Sequence, residues 1–92
     1  MRFSLSHRRA LIGHDVTVKV TAAAKETIAR VTTELDGRTL ARDALAPPEV
    51  QYERVFHQVG GGGPGQQHVL SVQSTSADGK RAVASLRWND VS

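Results

Sequence analysis

The run from Pro64 to Lys80 limits the possible folds of this chain more than any other stretch. A Pro-Gly loop leads into residues 68–75, where apolar and polar side chains alternate, and Asp78-Gly79 separates them from a second alternating segment. Alternation with period two gives a β-strand two different faces, and an Asp-Gly pair supplies the positive φ angles of a tight turn. The run therefore predicts an antiparallel hairpin with arms at 68–75 and 80–88.

Four earlier segments are also predicted as strands. Residues 15–22 alternate with their even-numbered side chains on the buried face, and residues 28–35 alternate with their odd-numbered side chains on that face. Asp36-Gly37 then predicts a tight turn into a return arm at 38–42. The segment 51–59 has large apolar residues on both faces, which predicts either a bulge or burial on both sides.

The number of strands and the chain length together indicate the fold class. Ninety-two residues, of which 39% are hydrophobic and 23% charged, are enough for one modest core. The strands number six, or seven if residues 3–5 or 10–12 add another, and no amphipathic helix is evident. We therefore predict an all-β antiparallel sandwich of two sheets over residues 14–92. Residues 1–13 are predicted to form a basic N-terminal segment, either partly mobile or a short first strand.

The same run carries a resemblance to known domains. It resembles the pattern PG-x-H-x-L-x-V-x-A-x-D-x-D-G of bacterial immunoglobulin-like and fibronectin type III-like domains, through Pro64-Gly65, His68, Leu70, Val72, Thr75 and Asp78-Gly79. The resemblance covers about residues 14–88 and implies an immunoglobulin-like antiparallel β-sandwich of six to seven strands. It also places His68 at a corner where many such domains have a tyrosine, so its imidazole is expected to bond a nearby backbone group.

The sequence departs from that pattern in two places, and one of them bears on calcium binding. One additional residue lies between Gly65 and His68, and Ser76 stands where the pattern often has its first aspartate. Some related modules bind calcium through that acidic position, and calcium prefers several carboxylate and carbonyl oxygens. Because Asp78 lacks this neighbour, we expect a simple turn and no calcium ion.

No combination of residues indicates catalysis, a cofactor or a metal ion. The chain has no cysteine and no Gly-x-Ser-x-Gly motif, and its four histidines lack the spacing of metal ligands. His57 and His68 flank the glycine-rich loop, but their strands are expected in different sheets. The loop itself lacks the Lys-Ser/Thr pair of a phosphate-binding loop. The protein is therefore predicted not to be an enzyme.

The leading hypothesis is a non-catalytic protein-interaction module that presents loops to another protein. One candidate loop consists of Gly60, Gly61, Gly62, Gly63, Pro64, Gly65 and Gln66, and a second spans residues 43–50. An alternative is a carbohydrate- or cell-surface-binding accessory domain. That function would need Tyr52, Phe56 and Trp88 exposed on one face, although Trp88 is expected to be buried in so small a core.

A weak nucleic-acid binder is the third hypothesis. Arg2, Arg8 and Arg9 form a candidate basic patch in a chain of net charge +3, and Arg30 and Arg38 would add to the binding. Only Phe3 lies near the patch for base stacking. We therefore expect another protein, rather than nucleic acid, as the partner, and a monomeric chain. The sequence shows no apolar run that would span a bilayer and no signal peptide, so a complete chain of this sequence is expected to be cytoplasmic.

Overall fold

A computed structural model describes residues 1–61 and 65–89 of the chain. Seven β-strands and no helix are found in these residues. The strands are β1 (Arg2–Arg9), β2 (His14–Thr21), β3 (Ile28–Leu35), β4 (Arg38–Ala44), β5 (Gln51–Val59), β6 (Gln67–Ser76) and β7 (Arg81–Asn89). The described part of the chain thus contains no helix with the length and apolar character needed to cross a membrane.

The strands form two antiparallel sheets packed face to face. One sheet has the order β1-β2-β5 and the other the order β4-β3-β6-β7. In the constant-type immunoglobulin arrangement the fourth strand joins the sheet of the first two, whereas β4 here pairs with β3 in the four-stranded sheet. The predicted all-β sandwich in two sheets is confirmed, with seven strands.

The predicted hairpin is present as β6 and β7. Their register runs from His68 opposite Trp88 to Thr75 opposite Arg81. In the turn the Ser76 hydroxyl donates to the Asp78 carboxylate and accepts the Lys80 amide at 3.0 Å. The serine that replaces the aspartate of the family pattern therefore stabilises the turn, and its hydrogen bond holds the pKa of Asp78 below the ordinary value.

The core lies between the two sheets and follows the alternation of the strands. Its buried apolar side chains within the described residues are Val16, Val18, Val20, Ile28, Val31, Leu35, Tyr52, Phe56, Leu70, Val72 and Trp88. Ile28 departs from the predicted pattern, because a register shift between Ile28 and Arg30 turns its side chain inward to 1% exposure. Ala29, on the face predicted to be buried, is only half-buried.

Strand β5 contains a bulge, as predicted. The bulge follows Phe56, so it does not turn the side chain of Val55 towards the core. The register between β2 and β5 shifts where the chain passes from Phe56 to Val59, and Gln58 there has a φ of 54°. Tyr52 and Phe56 lie before the bulge on one face and are buried, whereas Val55 on the other face is 41% exposed. The apolar residues on both faces thus reflect one exposed valine and not burial on both sides.

The N-terminal residues take part in the sandwich. Strand β1 pairs with β2 along its whole length, from Arg2 opposite Thr21 to Arg9 opposite His14. Residues 10–13 form the turn between the two strands, closed by a hydrogen bond of 3.1 Å from the Ala10 amide to the Gly13 carbonyl. The segment 1–13 therefore consists of an eight-residue strand and a hairpin turn.

Candidate interaction surface at one end of the sandwich

Three connections meet at one end of the sandwich, which we call the loop end: the β1–β2 turn (residues 10–13), the β3–β4 turn (36–37) and the described residues between β5 and β6 (60–61 and 65–66). The second candidate loop, 43–50, lies at the opposite end, where the Ile28 amide donates to the Glu49 carbonyl at 2.8 Å. The two predicted loops are therefore too far apart to act as one surface.

The glycine-rich loop borders a depression at the loop end. Gly60, Gly61 and Gln66 line it, Gly65 directly precedes Gln66, and Gly62, Gly63 and Pro64 lie outside the described residues. The depression has a volume of about 550 Å³. Its lining includes the apolar side chains of Leu35, Leu40 and Val59 and the polar side chains of Asp36, Arg38 and His68.

The β1–β2 turn presents two apolar side chains beside this depression. Leu11 is 96% exposed and Ile12 is 63% exposed. Ile12 lies against Gly61, where a Cβ would come within 3.6 Å of its Cγ2 atom. We call Leu11 and Ile12 the apolar tip. The sequence does not point to this tip, because the arginines before it indicate a basic terminus; Gly13 directly before a strand is the one turn signal there.

Gly13 holds the apolar tip against the glycine-rich loop. Its φ is 68°, and a Cβ at this position would lie 2.5 Å from the Val59 carbonyl oxygen. Gly13→Ala is therefore expected to lower the free energy of unfolding by about 2–4 kcal/mol, measured by urea denaturation, because a left-handed conformation and a backbone clash act together.

Gly37→Ala is the matched control for that substitution. Gly37 also has a positive φ, 82°, but nothing lies within 4 Å of where its Cβ would be. Its substitution should cost only about 1 kcal/mol, from the backbone conformation alone. Equal losses for the two variants would show that the turn does not pack closely on Val59.

Three histidines and Trp88 form a ring cluster next to the loop end. His7 on β1 stacks on Trp88 of β7 at 4.6 Å between ring centroids and 16° between planes, and so joins the two sheets. His14 and His68 lie 5.3 and 5.7 Å from the same indole. Burial, followed by the charge of His14, lowers the pKa of His7. Sequence spacing did not reveal this cluster, because the three histidines come from three different strands.

His68 has a corner role and contacts a carboxylate there. Its Nδ1 lies 2.6 Å from Oδ2 of Asp36, and the residue is 1% exposed. The other carboxylate oxygen of Asp36 accepts the Val69 amide at 2.8 Å. Asp36 therefore ties the β3–β4 turn to the start of β6.

The remaining histidine, His57, lies apart from this cluster. It is on β5 in the three-stranded sheet, whereas His68 is on β6 in the other sheet, as expected from the sequence. Its Nδ1 is 3.4 Å from the Asp15 carboxylate. In residues 1–61 and 65–89, no three side chains of histidine, cysteine, aspartate or glutamate are arranged to hold a metal ion.

The candidate basic patch is divided between the two ends of β1. Arg8 and Arg9 lie beside the loop end, whereas Arg2 is six residues away along the strand, which corresponds to about 20 Å. All three side chains are exposed. The structure therefore brings two of the three arginines close to the apolar tip and places the third at the far end.

The three aromatic residues required for carbohydrate stacking do not form an exposed face. Tyr52, Phe56 and Trp88 are 8%, 8% and 6% exposed. The burial of Trp88 confirms the expectation from the sequence. The Tyr52 hydroxyl donates to the Asp43 carboxylate, which also accepts Arg54 Nη1 at 2.8 Å, so this contact joins β4 to β5. Burial, and next this hydrogen bond, raises the pKa of Tyr52, and the same bond lowers the pKa of Asp43.

Comparison with known proteins supports the fold assignment. No protein-family model matches the chain, and no curated protein is similar enough to match it. Among solved structures, the fibronectin(III)-like modules of CbhA from Clostridium thermocellum are similar, with a TM-score of 0.56 and 18% sequence identity. The match covers 98% of this chain and 97% of that chain. The chain thus has the immunoglobulin-like, fibronectin(III)-like β-sandwich fold that the run from Pro64 to Lys80 predicts.

Proposed function

We propose that the protein is a non-catalytic interaction module that binds a partner protein through its loop end. The observation that carries the proposal is the apolar tip, where Leu11 is 96% exposed and Ile12 63% exposed beside the depression. Two adjacent apolar side chains at the end of a turn contribute nothing to the core. Their transfer from water into a partner's surface would each favour binding by about 1.5–3 kcal/mol.

The surroundings of the apolar tip indicate the kind of partner. Arg8 and Arg9 are exposed on β1 just before it, and Arg38 lines the depression on its other side. Charged groups around an apolar contact direct association and select partners of opposite charge. The partner is therefore expected to present an apolar pocket with an acidic rim, together with a side chain that enters the depression.

The surface is held in place before binding, which favours affinity. The turn is closed by its own backbone hydrogen bond and packs on Val59 and Gly61. Asp36 fixes the opposite side of the depression through His68 and Val69. At the β1–β2 and β3–β4 turns a partner would therefore have little disorder to remove, and less of the binding free energy would be lost in ordering these two turns.

The lining of the depression supports a non-catalytic function. A pair such as His68 and Asp36 assists catalysis when the imidazole can reach a nucleophile or a substrate proton. His68 is 1% exposed, and the described lining contains no serine, threonine or cysteine. The pair therefore acts to hold the β3–β4 turn, and we propose that the protein has no enzymatic activity.

A monomer fits the way in which the sheet edges are arranged. β1 and β7 are edge strands of different sheets and contact one another, with His7 stacked on Trp88. The edges β4 and β5 are joined by Asp43 and its two partners. Charged side chains on these edge strands, among them Arg42 on β4 and Arg81 on β7, make the edges less available to a second copy than an uncharged flat edge.

Capture of a partner by two matched variants tests the proposal. The immobilised protein is incubated with an extract of the source organism, beside a Leu11→Ser/Ile12→Ser variant and a Val83→Ser control. Val83 is a suitable control because it is 63% exposed, like Ile12, but lies on β7 away from the tip. We expect the tip variant to retain about one-tenth or less of a specific protein that the control retains in full. Equal retention of every captured protein by all three forms would overturn the proposal.

A further inference from the structure

The outer face of the four-stranded sheet carries three arginines around a shallow depression. Arg30 on β3 and Arg81 on β7 both lie opposite Thr75 of β6 and flank it. Arg42 on β4 lies opposite Thr32 of β3. With strands about 4.8 Å apart, the Cα atoms of Arg30 and Arg81 are about 10 Å apart, and Arg42 is about 8 Å from Arg30. The depression between them has a volume of about 520 Å³.

These guanidinium groups are available to a ligand. Arg30, Arg42 and Arg81 are exposed, and none of them forms an ion pair with a carboxylate among residues 1–61 and 65–89. Glu34 also lines the depression, so the positive charge is concentrated at the end that holds the arginines. Each guanidinium presents a planar fork of donors that matches a carboxylate.

Apart from Ala29, the remaining lining consists of neutral polar side chains. Thr32, Gln73 and Thr75 line the depression between the arginines and are half-buried. Two hydroxyls and an amide both donate and accept hydrogen bonds, as the hydroxyl groups of a sugar do. This face can therefore bond the hydroxyl groups of a ligand as well as its anionic groups.

The face lacks the aromatic rings on which the bases of single-stranded nucleic acids and the rings of neutral sugars stack. The four phenylalanine, tyrosine and tryptophan residues of the chain are all described, and all lie in the core or pack against it. Single-stranded nucleic acids are bound largely by stacking of bases on such rings. This face can form charge-assisted and neutral hydrogen bonds but offers no ring for a base or for an uncharged sugar.

We propose that this outer face is a second binding surface, independent of the loop end, which takes a polysaccharide that carries carboxylate groups. Arg30, Arg42 and Arg81 would each bond a carboxylate, while Thr32, Gln73 and Thr75 bond the sugar hydroxyls between them. The spacing of about 8–10 Å from Arg30 to each of the other two arginines allows separate anionic groups of one extended chain to be bound together. The affinity falls as salt increases, because ion pairs at an exposed surface are screened.

Affinity electrophoresis or calorimetry with polygalacturonate tests this proposal, with neutral dextran of matched size as the control ligand. We expect binding to polygalacturonate and none to dextran. An Arg30→Gln/Arg42→Gln/Arg81→Gln variant should bind about tenfold more weakly, since three exposed ion pairs of ordinary strength are lost. Raising sodium chloride from about 50 to 200 mM should weaken binding of the unmodified protein in the same direction.

A charge-matched variant separates this site from general electrostatic attraction. Arg2→Gln/Arg8→Gln/Arg9→Gln removes the same number of positive charges from β1, in the other sheet. It should keep its affinity for polygalacturonate within about threefold. Equal losses for the two triple variants, absence of binding by the unmodified protein, or tighter binding of a single-stranded oligonucleotide than of polygalacturonate would each overturn the proposal. None of these results affects the proposal for the loop end. That proposal is tested separately, by protein capture with the Leu11→Ser/Ile12→Ser variant.

Discussion

Replacing Trp88 with alanine is expected to lower the free energy of unfolding by about 3–5 kcal/mol, the largest loss for any single side chain considered. Trp88 is 6% exposed, stacks on His7 from the other sheet and lies within 6 Å of His14 and His68 between ring centroids. Its removal would leave a cavity. It would also remove the ring on β7 against which His7 of β1 stacks. Urea denaturation followed by circular dichroism measures the loss.

Trp88→Phe is the control that distinguishes ring packing from hydrogen bonding. The indole Nε1 is buried and has no hydrogen-bond partner in the described residues, so phenylalanine gives up ring area but no polar contact. We expect it to cost less than half of what alanine costs, about 1–2 kcal/mol. A loss of less than about 1 kcal/mol in the free energy of unfolding of Trp88→Ala would show that the ring cluster does not stabilise the loop end.

The second large effect is expected at Asp36. Asp36→Ala removes the carboxylate that bonds His68 and accepts the Val69 amide, and it places alanine at a φ of 52°. A buried imidazole that loses its acceptor costs about 1–3 kcal/mol, and the left-handed conformation adds about 1 kcal/mol. The free energy of unfolding should therefore fall by about 2–4 kcal/mol in the same urea experiment.

Asp36→Asn separates the contributions within that loss. Asparagine tolerates positive φ and keeps one oxygen that can accept a hydrogen bond, so only the charge and one of the two contacts are changed. We expect it to cost about half as much as alanine. If the two variants lost equal stability, neither the conformation of the turn nor the acceptor oxygen that asparagine retains would contribute. If neither lost more than about 0.5 kcal/mol, the contact with His68 would not hold the turn.

The local features of the fold were accessible from the sequence, whereas the contacts between sheets were not. The β6–β7 hairpin was predicted because alternation and the Asp78-Gly79 turn depend on neighbouring residues alone. The inward position of Ile28 depends on a register shift that only its pairing with β6 produces. His7 on Trp88 and Tyr52 with Asp43 join strands of different sheets, and no spacing along the chain encodes those contacts.

The candidate surface was predicted in part. The glycine-rich loop was identified from its composition, and the described residues Gly60, Gly61 and Gln66 do line a depression. The apolar tip at Leu11 and Ile12 was not identified, because the basic residues before it suggested a mobile terminus. β1 pairs with β2 along its whole length because β2 is the central strand of its sheet and has a neighbour on each side. The sequence of residues 1–13 alone does not reveal this position of β2.

The two proposed surfaces are on different parts of the molecule and can be tested separately. The loop end is made by turns and has an apolar tip, which suits a pocket on a protein. The outer face of the four-stranded sheet is polar and basic, which suits a hydrated anionic chain. Because Arg30, Arg42 and Arg81 do not contribute to the loop end, loss of one interaction leaves the other measurable.

The most direct test of the proposed function is photo-cross-linking from the apolar tip in cells of the source organism. A photoreactive phenylalanine analogue replaces Leu11 in one form of the protein and Val83, which is also exposed, in the other. The proposal predicts an irradiation-dependent adduct with one partner protein from position 11 and not from position 83. The same adducts from both positions, or none from position 11 where position 83 gives one, would contradict binding through the loop end.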